Sequence, residues 1–220
     1  MNADWVFDLT LYVLMFMSFM TWTIAILKTI QFRRASGALM AYDRWVSQQA
    51  DWHKLVHEGN TKNGADGVVL VQSAVDLSRE YAGEAKAHYS FEQLQELMTR
   101  DLRQKLGLVA RSRESWLNAL ASIGSTAPFL GLFGTVWGIM QALVVIGDSG
   151  VASITVVAAP IGGALITTAV GIATAVPAVI FFNVFTRRVR LYMSALEEFA
   201  ERLLRRTLDN RVNWESSDAR

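Results

Sequence analysis

The sequence lacks cysteine, and its 220 residues include only three prolines. Without cysteine the chain has neither disulfides nor thiolate chemistry, and no CxxC pattern for a structural metal. Charge is also scarce, because charged residues make up 19% of the chain against 52% hydrophobic residues, and mean hydropathy is positive. The chain has no phosphate-binding glycine loop and no Ser/His/Asp set. We therefore expect no enzymatic activity, no cofactor, no metal and no nucleic-acid partner.

Charge is rarest between Ser115 and Thr186, where Asp148 is the single charged residue. It separates apolar runs at 115–147 and 149–186, of 33 and 38 residues. Each run exceeds the roughly 20 residues that a membrane-spanning helix needs. Backbone crosses hydrocarbon only as a helix or a closed barrel, so the runs predict a membrane hairpin. We assign transmembrane helix 2 within 115–147, a turn in water at 148–151, and transmembrane helix 3 at 152–186.

A third uncharged run covers residues 9–27, between Asp8 and Lys28. A cleaved signal peptide is the alternative, but the segment before the run carries Asp4 and Asp8 and no basic residue. A signal peptide has a basic segment at that place, so we expect a membrane anchor.

Basic residues flank the same end of every span. They are Lys28, Arg33 and Arg34 after the first, Arg111 and Arg113 before the second, and Arg187, Arg188 and Arg190 after the third. Positive residues near membrane ends stay in the cytoplasm. This predicts that 1–8 and 148–151 lie in the periplasm, and that 28–114 and 187–220 lie in the cytoplasm.

The polar segments have a helical period, with caps expected at Ser36 and Ser90. One break is predicted, a loop at 59–67 with the sequence GNTKNGADG. After the third span, apolar residues recur at helical spacing up to a polar tail at 210–220 that we expect to fray. A helix of 33 residues covers roughly 50 Å, more than the hydrocarbon core of about 30 Å, so helices 2 and 3 should continue into the cytoplasm as long rods.

Small residues are concentrated in the hairpin. The second span contains Gly131, Gly134 and Gly138 in GLFGTVWG, and the third contains Gly171 in IGGALITTAVGIATA. Such residues let helices approach closely in lipid, so we predict helix packing here. The sequence leaves open whether they pack the hairpin or an oligomer.

Hydroxyls and prolines suggest a second role for the hairpin. Thr135 and Thr168 lie within roughly 7 Å of each other in depth along upright helices. In a circle of copies they would form two hydroxyl rings, although each threonine could instead bond a carbonyl of its own helix. Pro177 leaves a carbonyl without its helical donor, which indicates either a bend or a narrow hydrated path.

The segments GLFGTVWGIM and ALITTAVGIATAVPAVIFFNVF resemble the paired signature of the ExbB/TolQ/MotA proton-channel family, and most closely ExbB and TolQ. The resemblance implies a homo-oligomeric ring, usually of five subunits, in a bacterial cytoplasmic membrane. It implies an ExbD-like or TolR-like single-span partner whose membrane aspartate carries the proton, and a TonB-like or TolA-like protein that receives the work. The two membrane threonines of the family match Thr135 and Thr168.

The sequence departs from the family at Gly163, where ExbB and TolQ usually have a glutamate. The three spans contain no Asp, Glu, His, Lys or Arg, so a proton would need a partner's carboxylate. The residues then expected to line a channel are Thr135, Thr168, Gly163 and Pro177. Conduction of another ion, loss of conduction, and a non-conducting scaffold for partner helices stay open. Elsewhere, His53 and His57 lack a third metal ligand, and we expect solvated or packing histidines there.

Overall fold

The computed structural model describes residues 4–48, 65–82, 90–149 and 153–218. These residues form five helices with no strand among them: α1 Asp4–Gln48, α2 Ala65–Ala82, α3 Phe91–Glu114, α4 Leu117–Ser149 and α5 Ile154–Asp218. Three stretches of helix are long and apolar enough to cross a membrane. The predicted all-α class and the three apolar spans are therefore confirmed.

The chain divides into two compact units. We call the first, Met1–Thr29 with Trp116–Thr186, the membrane unit, and the second, Ile30–Ser115 with Arg187–Arg220, the polar unit. Helices α1 and α5 contribute residues to both units. Apart from Ser115, all three uncharged runs of the sequence fall in the membrane unit.

The core of the membrane unit joins all three of its helices. Leu14 of α1 is fully buried against Ile123 and Ala127 of α4 and against Ala175 and Ala178 of α5. Small residues on two of the three helices allow close packing there. The outside of the unit carries large exposed apolar side chains: Trp5, Phe16, Phe19, Phe129, Val136, Leu143 and Leu165. A surface this apolar is typical of a multi-pass membrane protein.

The polar unit has an ordinary amphipathic core. Leu196, Phe199 and Leu203 of α5 are buried, as their spacing predicts, while Glu198 and Arg202 on the other face are exposed. The ring of Phe199 lies 6.0 Å from that of Tyr42 in α1. A second cluster joins Leu94 and Met98 of α3 to Leu208 of α5.

Helix α3 begins with the cap that the sequence predicts at Ser90. The Ser90 hydroxyl accepts from the backbone N–H of Gln93 at 3.3 Å, and the Gln93 side chain accepts from the N–H of Ser90 at 2.8 Å. This capping box satisfies two backbone donors that the first turn leaves unpaired.

The other predicted cap, at Ser36, is wrong, because α1 runs through it unbroken. Phe32 and Leu39 are buried on either side of Ser36, and their packing holds the helix together. A cap would require a residue outside the helical region of backbone angles. Burial of the neighbours therefore outweighs the local signal of a serine.

Helices also extend further than their polar sequences predict. Asp148 and Ser149 end α4, Ala65–Gly67 begin α2, and 210–218 belong to α5 rather than to a frayed tail. Extending an existing helix requires no new nucleus, and a single unfavourable residue costs no more than about 1 kcal/mol, the value for glycine. The rest of the turn at 150–151 and of the predicted loop at 59–64, with His53 and His57, lies outside the described residues.

The expected rod through the second span is wrong, whereas α5 does continue unbroken past the third span. Helix α3 ends at Glu114 and α4 begins at Leu117. Trp116 between them has φ 67°, in the left-handed region that bulky residues rarely adopt. The Ser115 hydroxyl donates to the carbonyl of Ser112 at 2.8 Å and so satisfies an acceptor in the final turn of α3.

Candidate functional site in the membrane hairpin

Helices α4 and α5 touch backbone to backbone along a line of small residues that we call the seam. On α4 it consists of Gly124, Ala127, Gly131, Gly134 and Gly138; on α5, of Ala164, Thr167, Thr168 and Gly171. A Cβ atom on Gly131 would lie 2.8 Å from the carbonyl oxygen of Thr167. A Cβ atom on Gly171 would lie 2.7 Å from the carbonyl oxygen of Ala127. At these two positions the opposing backbone leaves room for no side chain.

Gly134 and Gly138, which lie four positions apart in GLFGTVWG, both face α5. A Cβ atom on Gly134 would clash with the hydroxyl oxygen of Thr167, and one on Gly138 would lie 2.5 Å from the Cβ atom of Ala164. In this chain, therefore, both glycines contact the other arm of the hairpin. The sequence left that choice between hairpin and oligomer open.

Two neighbouring threonines of α5 converge on one carbonyl of α4. Thr168 donates to the Gly131 carbonyl oxygen at 3.0 Å, and Thr167 lies 3.2 Å from the same oxygen and 2.6 Å from the carbonyl oxygen of Ala164. A hydroxyl has one proton, so Thr167 shares it between these two acceptors. The hydroxyl of Thr135 donates to its own helix, to the Leu132 carbonyl at 2.7 Å.

Burial distinguishes these hydroxyls. Thr167 is fully buried, Thr135 and Thr174 are nearly so, and Thr168 is half-buried. Each of the three bonded hydroxyls directs its proton at a carbonyl, so its oxygen keeps lone pairs that could accept a further hydrogen bond. The seam thus offers hydrogen-bond acceptors between two mainly apolar helices and contains no ionisable side chain.

The remaining predicted residues lie away from the Thr168–Gly131 contact. A Cβ atom on Gly163 would lie 3.3 Å from Cζ of Phe7, so Gly163 faces α1. Pro177 lies within α5, fourteen positions and therefore roughly 21 Å along the axis from Gly163. The structure accordingly brings Thr168 to Gly131 but keeps Gly163 and Pro177 far apart.

Thr167 is the residue whose importance the sequence interpretation missed. Its signal was present, since small residues recur at steps of three and four along α5: Ala164, Thr167, Gly171, Thr174 and Ala178, all buried. That period marks one helix face. We singled out Thr168 by its depth relative to Thr135 and by the family resemblance, although its neighbour Thr167 is the one on the buried face.

No group of three His, Asp or Glu side chains that could hold a metal ion occurs among the described residues. The site is instead a close-packed pair of membrane helices whose uncharged contact surface carries hydroxyls. Fold and site together define a multi-pass helical membrane protein with an apolar hairpin, whose two arms meet along an uncharged seam that carries hydroxyls.

Comparison with known proteins specifies the family. Residues 76–198 match the MotA/TolQ/ExbB proton channel family. The chain is 36% identical over 219 residues to the biopolymer transport protein ExbB of Neisseria meningitidis, an overlap of 96% of this chain and 99% of that protein. ExbB of Pseudomonas putida is 34% identical, over 92% of this chain and 60% of its own. ExbB of Salmonella typhimurium is 31% identical, over 92% of this chain and 82% of its own length. The chain belongs to the MotA/TolQ/ExbB proton channel family.

Proposed function

We propose that the chain is the ring-forming subunit of an ExbB-like proton channel that couples the proton motive force to envelope work or energised transport. Family membership supports the channel role, and the name biopolymer transport protein, carried by its relatives, supports the transport role. The proposed location is the bacterial cytoplasmic (inner) membrane. The proposed ring is a homo-oligomer, a pentamer by the family resemblance.

The proposed topology follows from the charges that flank the spans. Residues 1–8 and 148–151 lie in the periplasm, and 28–114 and 187–220 in the cytoplasm, because the basic residues near the spans all lie on that second side. The described polar unit, with its exposed Glu and Arg side chains, is then the cytoplasmic portion.

The observation that carries the proposal is the uncharged seam with its bonded threonines. None of the three spans has a side chain that could bind and release a proton. The proton therefore needs a carboxylate from elsewhere, which an ExbD-like or TolR-like single-span partner with a membrane aspartate would supply. A TonB-like or TolA-like protein would then receive the work.

The hydrogen bonds of the threonines suggest how a ring would discriminate the two states of that aspartate. A protonated carboxyl donates, and the oxygens of Thr135 and Thr168 have lone pairs to accept. A carboxylate only accepts, so either threonine would have to release its carbonyl, Leu132 or Gly131, to donate to it. The two states thus prefer different contacts, and the difference could be converted into movement between equivalent subunits.

The experiment is proton flux into vesicles that contain the chain together with its single-span partner. Thr135→Val and Thr168→Val remove a hydroxyl at nearly constant shape, and we expect each to lower partner-dependent flux several-fold with the ring still assembled. Thr126→Val is the matched control, because the Thr126 hydroxyl is exposed on α4 and bonds only the Ser122 carbonyl, at 2.7 Å. Unchanged flux in both test variants would contradict the proposal, as would selective proton flux through rings without a partner.

Gly163 favours one alternative, a non-conducting scaffold that assembles partner helices. The family glutamate is absent there, and the space beside Gly163 is occupied by the Phe7 ring. The same vesicles decide between the two functions. A scaffold would bind the partner in full amount and yet give no flux above that of empty vesicles.

A further inference from the structure

A cavity of about 400 Å³ lies in the polar unit between α1 and α5. Phe32, Met40 and Leu191 give it apolar walls, and Arg33 and Arg188 bring two guanidinium groups to the same cavity. Met40 and Leu191 are 63% and 62% exposed, so the apolar part is open rather than sealed. A ligand that satisfies this lining has an anionic group joined to hydrocarbon.

The charge next to the cavity is positive. Tyr192 belongs to the lining, and its hydroxyl donates to the carboxylate of Asp66. The guanidinium of Arg113 also bonds that carboxylate, with Nε at 3.1 Å. The Asp66 carboxylate behind Tyr192 is thus already bonded to a cation, and an anion that enters the cavity would meet Arg33 and Arg188.

The sequence puts both arginines close to span ends. Arg33 follows Leu27, the last residue of the first uncharged run, by six positions, and Arg188 follows Thr186 by two. At 1.5 Å per residue these are roughly 9 Å and 3 Å, comparable with the roughly 5–8 Å that lipid headgroups add to each side of a bilayer. Basic groups at that depth attract anionic lipids.

We propose that this cavity binds an anionic phospholipid from the leaflet on the basic side of the spans. Arg33 and Arg188 hold its phosphate, since guanidinium groups bind phosphate oxygens in a forked geometry. Phe32 and Leu191 pack against the glycerol and the first methylenes. The inference requires the membrane placement of the spans and is independent of proton conduction, so vesicles that conduct no protons would leave it standing.

The test uses full-length protein in nanodiscs of phosphatidylcholine with a minor fraction of phosphatidylglycerol. Phosphatidylglycerol that stays bound after transfer to detergent is counted by native mass spectrometry. For Arg33→Gln with Arg188→Gln, we expect about tenfold less retained lipid. The matched control, Arg34→Gln with Arg190→Gln, removes the same charge from exposed neighbours outside the cavity lining and should stay within about twofold of the wild type.

A second variant leaves every charge in place. Ala195 lines the cavity and is exposed, so Ala195→Phe fills the space without overpacking the core. We expect the same loss of lipid, and this variant keeps the test open if the arginine pair fails to assemble.

Three results would overturn the proposal. Equal loss in the control pair would indicate diffuse attraction to the surface instead of a site. Full retention in Ala195→Phe would show that the cavity is not used. Displacement of the lipid by an equal concentration of glycerol phosphate would identify a soluble phosphate as the ligand.

Discussion

The hydroxyl of Thr167 lies 3.2 Å from the carbonyl oxygen of Gly131, across the two arms of the hairpin, and is fully shielded from solvent. The same side chain fills the space above Gly134. One threonine thus contributes both a polar and a steric contact to the seam, and the next residue, Thr168, bonds the same carbonyl.

Thr167→Val should destabilise the membrane unit. It removes the hydroxyl bonded to Gly131 and Ala164 while keeping the branched shape, and a buried hydrogen bond contributes about 1 kcal/mol. Denaturant unfolding in detergent, followed by tryptophan fluorescence, measures the change. Thr23→Val is the control, since that hydroxyl is exposed and bonds only Phe19 of its own helix. Equal stability of both variants would count against a role for the cross-hairpin bond.

Gly131→Ala should be more damaging than the same change at Gly162. The new methyl would lie 2.8 Å from the Thr167 carbonyl oxygen, and backbone cannot yield as a flexible side chain does. Overpacking of this kind costs about 1–3 kcal/mol.

Gly162 has nothing within 4 Å of the position of an added Cβ atom, so its change to alanine is the matched control in the neighbouring helix. Thermal unfolding of both variants in one detergent gives the comparison. A Gly131→Ala protein as stable as Gly162→Ala would mean that the arms do not meet as closely as described.

Stability should fall in strong base because of two buried tyrosines of the polar unit. Burial raises the pKa of Tyr42 to about 12, and burial together with the hydrogen bond to Asp66 raises the pKa of Tyr192 well above its usual value. A group whose pKa is higher in the folded state stabilises the fold below its unfolded pKa and loses that contribution as pH rises.

Above pH of about 10, each tyrosine should therefore lower the free energy of unfolding by up to about 1.4 kcal/mol per pH unit. Urea midpoints at pH 9 and 11 measure the slope. The double variant Tyr42→Phe with Tyr192→Phe should have a flatter profile over that interval, because phenylalanine has no proton to lose. An identical slope in the double variant would assign the pH dependence to other groups.

Ser90→Ala should loosen the beginning of α3. Loss of an N-cap costs about 1 kcal/mol. Here the bond from the Gln93 N–H to the Ser90 hydroxyl would be lost, and with it the reciprocal pair of bonds that forms the capping box. Amide hydrogen exchange should accelerate at residues 91–94 and stay unchanged near Val109, which is buried in the same helix. Uniform acceleration along α3 would indicate global destabilisation instead of loss of a cap.

Much of this architecture was readable from the sequence, because lipid imposes strict rules on length and polarity. The spans, the spacing of Gly131, Gly134 and Gly138, and the cap at Ser90 follow from local patterns. Ser36 misled the interpretation because its neighbours are held by distant packing partners. The left-handed Trp116 was not foreseeable, since glycine and not tryptophan is the usual signal for that conformation. Thr167 could have been found from the spacing of the small residues along α5, which marks the buried face, but its contact with the Gly131 carbonyl depends on how the two arms pack.

The absence of ionisable side chains from the spans also determines how the chain responds to voltage. An elementary charge that crosses the membrane gains about 2.3 kcal/mol per 100 mV, but side chains such as those of Thr135 and Thr167 have no net charge for the field to act on. In the proposed channel, the electric field would act on the proton and on the partner acid that carries it. Mutations in the seam should then change the rate of proton passage without changing the charge that each proton carries across the membrane.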